Sequence, residues 1–181
     1  MGVWVGILIF AELERKTTAE RVTAVMLSRA SDGQWNGGRV PFGYSWSKET
    51  KTFSIVPEEA KAIRRMAELY EQYQSLLYVA KYLNDAGIVT KTGGQWTPTT
   101  VRTILTNPWY IGQYVYNVHS DGKGIEKRDS DEWITVESHH EPILNDDVFY
   151  RMKFLLTRNK RGGVPSNKTY VRKNIHVFAG L

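Results

Sequence analysis

The fold of this chain is decided around the stretch QWTPTTVRTILTNP, residues 95–108. Thr97 is a residue type that caps helices, and Pro98 suits the first helical position because the N–H it lacks would have no partner there. Three apolar residues, Val101, Ile104 and Leu105, recur at helical spacing and predict one buried face. The final asparagine and proline stop the pattern. The stretch therefore predicts a short helix with one buried face and one polar face.

A second predicted helix precedes this one. It begins after Ser75, which is the predicted N-cap, and it stops at residues 84–87, NDAG. Its buried stripe consists of Leu76, Val79, Ala80 and Leu83. The connection between the two helices spans about nine residues, whereas the standard helix-turn-helix has a connection of 3–4 residues. The sequence predicts a helix-turn-helix-like pair, and the same pattern also suits an ordinary small helical domain.

The polar side of the later helix has the side chains expected of a recognition helix. Short hydroxyl side chains and one arginine near a helix N-terminus can reach phosphates or base edges, and the helix dipole favours an anion there. Glycines in the loop before the helix allow a close approach of the backbone to a ligand. The candidate DNA contacts in this region are Lys91, Gln95, Trp96, Thr97, Thr99, Thr100, Arg102 and Thr103.

The N-terminal segment predicts one long helix. Apolar residues recur at helical spacing from residue 3 to residue 30, and the glycine-containing runs 32–33 and 36–38 end the pattern. At 1.5 Å per residue such a helix is roughly 40 Å long. Little chain precedes it to cover its faces. We therefore expect that it pairs with a partner or belongs to a domain outside this sequence.

A glycine-containing strip, residues 39–44, follows the long helix. Pro41 fixes its own φ and biases Val40 away from the helical region, so the strip is predicted to be extended. An extended strip with one arginine can lie in a DNA minor groove. A plain linker between domains is the alternative interpretation. The candidate DNA contacts in the strip are Arg39, Pro41 and Tyr44.

The remaining elements predict an α+β fold that is mainly helical. A short strand is expected over 52–56 and a helix from Pro57 onward. Alternating β-branched and aromatic residues over 110–118 and 133–137 predict a hairpin with a long polar tip. A last helix begins after Asn145, with a stripe formed by Val148, Met152, Leu155 and Leu156. The predicted fold is a long N-terminal helix followed by a winged helix-turn-helix-like domain with a β-hairpin and a C-terminal helix.

Charge is unevenly distributed along the 181 residues. The chain has 24 Lys and Arg against 19 Asp and Glu, a formal net charge of +5. Residues 108–147 are acidic on balance, whereas residues 148–181 contain basic residues and no acidic ones. Such a tail is either a contact surface for the phosphate backbone or a solvated segment. Its candidate contacts are Lys160, Arg161, Lys168, Arg172 and Lys173.

Several classes of chemistry are excluded by composition and motif. The chain has no cysteine, so disulfides, thiol nucleophiles and zinc ribbons cannot form from these residues. We find no apolar run long enough to span a membrane and no catalytic or metal-binding motif, and we expect a cytoplasmic protein. His139 and His140 are adjacent, and on a strand their side chains would point to opposite faces, which argues against a shared metal. Four tryptophans are interpreted as core residues or as base-stacking anchors: Trp35, Trp96, Trp109 and Trp133.

Six segments of the chain resemble the serine recombinases. The runs FAELER at 10–15 and AERV at 19–22 resemble the long helix that closes the catalytic domain of that family. WNGGRVPFGY at 35–44 resembles the linker that follows it in large serine integrases and transposon recombinases. In the same order as in the family, three further runs resemble the recombinase domain: VPEEA at 56–60, YLNDAGI at 82–88 and WTPTTVRTILTNPWYIG at 96–112.

The resemblance implies a DNA strand-exchange enzyme. In that family a serine near the N-terminus attacks the scissile phosphate and forms a phosphoserine linkage, and paired dimers then exchange ends and religate them. This sequence starts inside the long helix, so the resemblance implies that the nucleophilic serine is absent and that this portion binds DNA without cutting it. It also implies a structural zinc in a region after Leu181, and no cofactor within these residues.

The resemblance further implies a division of the chain and roles for its parts. Residues 1–34 would be the end of the catalytic-domain helix and contribute to a homodimer or tetramer. Residues 35–45 would be an extended linker, of which residues 39–44 follow the minor groove, and 46–160 the DNA-binding domain, whose helix after Thr97 meets the major groove. Residues 161–181 would be a basic linker toward a zinc-ribbon domain. The expected partner is double-stranded DNA, with no membrane and no small-molecule substrate.

Two other readings are compatible with parts of the pattern. A winged-helix transcription regulator explains the three helices and the hairpin, but it does not explain the long leading helix or the glycine-containing strip. A protein-interaction module without nucleic acid is favoured by the acidic segment 108–147. Codons upstream of Met1 would separate the recombinase from the regulator, because a recombinase gene encodes a serine-bearing domain there.

Overall fold

The computed structural model describes the backbone of residues 2–119 and 126–161, and the side chains of residues 12–119 and 126–159. Within these ranges the chain is mainly helical and has two small antiparallel sheets, which confirms the predicted fold class. The chain divides into two compact units. Of the described residues, those up to 60 and from 108 to 143 form the first unit, and those from 61 to 107 and from 144 to 161 form the second.

The first unit begins with the long helix α1, Gly2–Ser31, as the sequence predicts. It ends where Gly33 adopts a φ of 69° and the amide of Gln34 donates to the carbonyl of Arg29 at 2.8 Å. Near this end α1 packs against the second hairpin of the unit, and Ala30 is fully buried. Val25, by contrast, is 57% exposed. Most of the apolar residues described on α1 are therefore not covered by the part of the chain that the structure describes.

A first hairpin follows α1, formed by β1 (Tyr44–Ser47) and β2 (Thr52–Ile55) in antiparallel register, with Tyr44 opposite Ile55. Strand β2 matches the predicted strand, whereas β1 was not predicted. The predicted extended strip does not stay extended, because Pro41 accepts a hydrogen bond from the amide of Tyr44 at 3.2 Å and Gly43 has a φ of 97°. After this turn the chain enters strand β1 at Tyr44, two residues before residue 46, where the DNA-binding domain was predicted to begin.

A second hairpin is formed by β3 (Tyr114–Tyr116) and β4 (Ile134–Val136), also antiparallel. It is shorter than predicted at both ends. A 3₁₀ turn, Pro108–Ile111, takes the place of the predicted strand start. The reason is a tertiary contact, since the hydroxyl of Tyr110 donates to the carbonyl of Phe42 at 3.0 Å. The tip of the hairpin, residues 120–125, lies outside the described residues.

The core of the first unit is built from aromatic rings. Tyr44 is fully buried, and its ring lies edge-on to Trp109 at 6.4 Å and to His140 at 4.9 Å. Its hydroxyl donates to the carbonyl of Glu141 at 2.8 Å. Rings in such edge-to-face arrangements stabilise one another beyond the area that they bury. These contacts join segments that are about a hundred residues apart in sequence.

The second unit is a group of helices: the body of α2 (Pro57–Tyr73), α3 (Leu76–Asp85), α4 (Pro98–Thr106) and α5 (Asp146–Arg161). Their starts and their buried stripes follow the sequence closely. Phe149 is an addition, since it is 2% exposed and was not in the predicted stripe. The predicted wing is not confirmed, because the β3–β4 hairpin belongs to the first unit and the α3–α4 pair to the second.

Candidate nucleic-acid interface

The N-terminus of α4 is held by a pair of reciprocal hydrogen bonds. At the end of α3, Asn84 accepts from the backbone amide of Trp96 at 2.8 Å through Oδ1 and donates to the carbonyl of Trp96 at 3.0 Å through Nδ2. One amide side chain thus satisfies both backbone groups of the residue just before the helix cap. Sequence reasoning treated Asn84 as a helix stop and missed this positioning role, because an asparagine near a helix end has no sequence signal for its partner.

Trp96 corrects one predicted contact. Its side chain is 4% exposed, and its indole Nε1 donates to the carbonyl of Ile88 at 3.0 Å. A ring buried in this way cannot stack on a base, so Trp96 packs in the core and fixes the chain before α4. The sequence left two roles open for Trp96, a core residue or a base-stacking anchor, and the structure shows a core residue.

The first turn of α4 is closed by a capping box. Oγ1 of Thr97 accepts from the amide of Thr100 at 3.2 Å, and Oγ1 of Thr100 accepts from the amide of Thr97 at 2.9 Å. These two hydroxyls therefore have partners within the helix start. Thr97 was correctly predicted as the N-cap. Both residues are exposed, so their outer surfaces are accessible to a ligand as well.

The polar candidates of the second unit lie together around the start and the outer side of α4. Thr99 and Thr103 are exposed one turn apart, and Arg102 is half-buried beside them. Gln95 is exposed just before the cap. Lys91 is exposed in a tight turn in which the amide of Gly94 donates to Oγ1 of Thr90 at 3.0 Å. The arrangement presents hydroxyl, amide and cationic groups from one helix and the loop that leads into it.

The candidate DNA contacts of the first unit differ in how far they are buried. Arg39 is exposed and Pro41 is half-buried, whereas Tyr44 is fully buried. The prediction that Tyr44 contacts DNA is therefore wrong, because its ring and hydroxyl are used inside the core. Gly37 and Gly38 have φ values of 93° and 113°, and no heavy atom of the described residues lies within 4 Å of the position that a Cβ would take on either. The strip before Pro41 thus has an open backbone side.

The structure describes only part of the predicted contacts at the C-terminal end. Lys160 and Arg161 form the last residues of α5 by their backbone. Their side chains, and the whole of Lys168, Arg172 and Lys173, lie outside the described residues. Earlier in α5, Arg151 forms an ion pair with Glu71 of α2, and Arg158 donates to Gln74 at 2.7 Å.

A groove of about 610 Å³ lies in the first unit, at the point where α1, the residues after it and the first hairpin meet. Three cationic side chains line it: Arg29 from α1, and Lys48 and Lys51 from the turn of the hairpin. Its aromatic lining consists of Trp35, Trp46 and Phe53. Among the described residues that line this groove, none is acidic. Sequence reasoning missed it because its cations come from separate segments with no shared motif.

Two histidines at the edge of the same groove form a hydrogen-bonded pair. Nε2 of His140 lies 2.7 Å from the carbonyl oxygen of Trp109, which can only accept, so Nε2 must carry the proton. Nδ1 of His140 then accepts from Nδ1 of His139, 3.0 Å away. The His140 ring also stacks on Trp109, with centroids 4.3 Å apart. Burial lowers the pKa of His140 to about 4, and it lowers the pKa of His139 as well.

The histidine geometry corrects the sequence argument about them. His139 and His140 lie in a bend after β4, not in a strand, and their rings point toward each other. Among the described residues, no three His, Cys, Asp or Glu side chains come together as a metal ion would require. Nor does any described helix combine the length and hydropathy needed to cross a membrane.

The chain was compared with family models and with curated proteins, and both comparisons find recombinases. A family model described as Recombinase matches residues 57–159. A protein of Bacillus subtilis (strain 168) named "Putative DNA recombinase" is 29% identical over 125 residues, which is 65% of this chain and 25% of that protein. The "Uncharacterized protein YbcK" of Escherichia coli (strain K12) is 28% identical over 99 residues, 54% of this chain and 18% of that protein.

Two solved structures have a similar fold. A structure titled "Crystal Structure of a LSR-DNA Complex", where LSR denotes a large serine recombinase, matches with a TM-score of 0.60 and 23% identity. It covers 81% of this chain and 41% of the other chain. A structure concerned with the Listeria innocua prophage attP site matches with a TM-score of 0.56 and 25% identity, over 81% of this chain and 54% of the other. The chain therefore spans about a quarter or less of the two curated relatives and about half of the two solved chains.

Proposed function

Because this chain belongs to the Recombinase family, we propose that it forms the DNA-binding portion of a site-specific serine recombinase. The observation that supports this most directly is the family match over residues 57–159, which covers the helices of the second unit and the whole of α4. The names of the relatives and the DNA in the similar solved structures agree with it. The ligand of this portion is double-stranded DNA.

The outer side of α4 is the surface proposed to enter the major groove. Thr99 and Thr103 are exposed along it, and Arg102 is half-buried. A long arginine side chain can pack its stem against the protein and keep its guanidinium in solvent. An arginine that pairs with guanine through two hydrogen bonds discriminates bases, whereas threonines reach bases or phosphates. The Asn84 clamp and the Thr97–Thr100 capping box fix where this helix begins. A fixed start is what a recognition helix requires, because register on DNA depends on it.

Residues 37–41, the two glycines before the strip and the exposed first part of the strip, are proposed to follow the minor groove. The two glycines have space on the side where a Cβ would be, and Arg39 is exposed next to them. Arginines inserted in narrow minor grooves are favoured by the negative potential there. The basic C-terminal residues, from Lys160 to Lys173, would add contacts with the phosphate backbone.

The properties of the whole protein are part of the same proposal. The parent protein would exchange DNA strands through a phosphoserine linkage made by a catalytic domain that precedes α1, and would act as a homodimer or tetramer. The exposed apolar residues of α1, such as Val25, support a partner for that helix. A structural zinc would belong to the region that follows this sequence. The protein would work in the cytoplasm, where its DNA is.

The test is a titration of this chain against a fluorescent duplex of mixed sequence, about 40 base pairs long, at several salt concentrations. Binding through phosphates releases counterions, so the logarithm of the association constant should fall linearly with the logarithm of the salt concentration. Selection of preferred sites from a random pool would then identify the target. Absence of binding at low salt would contradict the proposal and favour a protein-interaction module.

A further inference from the structure

The groove of the first unit has a chemistry that the contacts proposed above do not use. We name it the α1–hairpin groove, defined by Arg29, Trp35, Trp46, Lys48, Lys51 and Phe53. None of the contacts given under the proposed function involves any of these six residues, although the sequence left base stacking open for Trp35. The β1–β2 hairpin and the end of α1 lie outside residues 57–159, the segment that the family model matches. The α1–hairpin groove therefore needs an explanation of its own.

The rim of the α1–hairpin groove is cationic. Arg29 lies at the last turn of α1, where its Nε donates to Gln34 Oε1 at 3.3 Å, a neutral partner. Lys48 and Lys51 are exposed on the turn of the hairpin. None of the described lining residues is acidic, so the side chains that line the groove contribute three positive charges, and Glu49, exposed on the same turn as the two lysines, lies outside that lining. A concave surface with one sign of charge concentrates ligands of the opposite sign.

The floor of the groove is aromatic. Trp35 lies 4.7 Å from Trp46 and 5.2 Å from Phe53, and Trp46 lies 4.5 Å from Phe53, measured between ring centroids. All three side chains are half-buried, so they support one another and still present surface to the groove. Aromatic side chains in a basic groove are the combination that binds single-stranded nucleic acid, because the rings stack on bases and the cations contact phosphates.

We propose that the α1–hairpin groove binds an unpaired stretch of DNA strand. In a duplex the base faces are stacked on one another, so rings on a groove floor cannot reach them, whereas an unpaired strand offers them. A volume of about 610 Å³ lies within the range of roughly 300–1,000 Å³ typical of sites for small ligands. It suits individual nucleotide units, not the width of a duplex. The proposal rests on the proposed function for the identity of the polymer.

The experiment compares two probes on the same protein. The first is a fluorescent oligothymidylate of about 15 nucleotides, which cannot form a duplex with itself and whose bases stack on aromatic rings. The second is the fluorescent duplex of mixed sequence described under the proposed function. Binding of the first probe is followed by its anisotropy and by quenching of tryptophan fluorescence, because a base stacked on an indole quenches it. The unmodified chain should bind the oligothymidylate saturably and with quenching.

The decisive variant is the double substitution Lys48→Gln, Lys51→Gln. It removes two charges at exposed positions and is expected to weaken oligothymidylate binding by roughly tenfold or more, while duplex affinity changes by less than about threefold. The matched control is Lys61→Gln, Lys81→Gln, which removes two exposed charges from α2 and α3 and should leave oligothymidylate binding unchanged. Trp46→Leu should lower the quenching, because it leaves Trp35 as the remaining indole among the residues that define the groove. Where that variant does not fold, the lysine pair carries the test.

The outcomes separate this proposal from the proposed function. Duplex binding without oligothymidylate binding would overturn the groove proposal and leave the proposed function standing. An equal loss of both probes in the lysine variant would also overturn it, because the lysines would then be general phosphate contacts. Failure to bind either probe would overturn both proposals. A selective loss of the oligothymidylate, together with Arg102→Ala weakening the duplex alone, would establish two separate sites.

Discussion

The two compact units of this chain are stabilised in different ways. The second unit is made of helices whose starts are marked in the sequence by Pro57, Ser75 and Thr97, and whose cores are mostly aliphatic. The first unit depends on aromatic contacts between distant segments, such as the hydrogen bond from Tyr44 to the carbonyl of Glu141. Local signals thus specify one unit, and long-range packing specifies the other. Substitutions should affect the two units accordingly.

The largest effect is expected at Gly112, in the first unit. Its φ is 81°, and a Cβ built on it would lie 2.9 Å from the carbonyl oxygen of His140, a backbone atom that cannot move aside easily. Gly112→Ala therefore adds both backbone strain and a clash, and should lower the free energy of unfolding by about 3 kcal/mol or more. Urea denaturation followed by tryptophan fluorescence would measure it. Gly94→Ala is the control, because its Cβ would meet Thr90 at an ordinary 3.5 Å, and a similar loss there would refute the explanation.

The histidine pair should make the first unit sensitive to acid. The pKa of His140 is about 4 in the folded protein and 6.5 when unperturbed, so the folded state favours the neutral ring. The corresponding stability is fully present above about pH 6.5 and is lost as the pH falls toward 4. At 1.36 kcal/mol for each unit, the full pKa difference is worth somewhat more than about 3 kcal/mol. About 2–3 kcal/mol of it is lost between these limits, because each state is only half protonated at its own pKa.

This acid effect can be isolated with His140→Gln, whose side-chain amide can still donate to the carbonyl of Trp109. The free energies of unfolding at pH 7 and pH 4.5 would be compared for both proteins. The variant should lose about 2 kcal/mol less than the unmodified chain over this interval, although other groups titrate in both. An identical decrease in the two proteins would show that His140 is not the group responsible.

In the second unit, the sharpest test is the clamp before α4. Asn84→Ala removes both hydrogen bonds to the backbone of Trp96 and leaves a part-buried N–H and C=O without that partner. The expected cost is about 2 kcal/mol of unfolding free energy, together with weaker duplex binding because the start of α4 is no longer fixed. Asn84→Asp keeps the acceptor and loses the donor, so its cost should be intermediate. Unchanged stability in Asn84→Ala would remove the clamp from the explanation.

The smallest effect on stability and the most informative one on function is expected at Arg102. Arg102→Ala should leave the helix intact and weaken duplex binding by about 1–3 kcal/mol, with relaxed sequence preference, if the guanidinium reads a base. Arg65→Ala removes the same charge from α2, where the arginine pairs with Glu68, and serves as the control. Competition between a selected site and a random duplex would decide the role. An equal loss on both would make Arg102 a phosphate contact.

Sequence reasoning was strongest where side chains act on their own backbone. The Ser75 cap and the Thr97–Thr100 box involve residues three positions apart, so the pattern contains both partners. It was weakest where a residue's partner lies far along the chain. Tyr44 and Trp96 were predicted to contact DNA, and both are buried by residues that no local pattern identifies. Strand β1 was missed for the same reason, since its pairing depends on the turn at residues 41–44.

Four features could be predicted from the residues alone: the helices of the second unit, the long helix α1, the polar outer side of α4 and the family to which the chain belongs. These follow from helical periodicity, caps and motifs, which act over one or two turns. Three other features depend on the tertiary structure: the aromatic core of the first unit, the Nδ1–Nδ1 contact between His139 and His140, and the position of Arg29, Lys48 and Lys51 around one groove. The physical reason is that packing and charge depend on which distant segments are brought together, and that is specified by the whole chain and not by any one stretch of it.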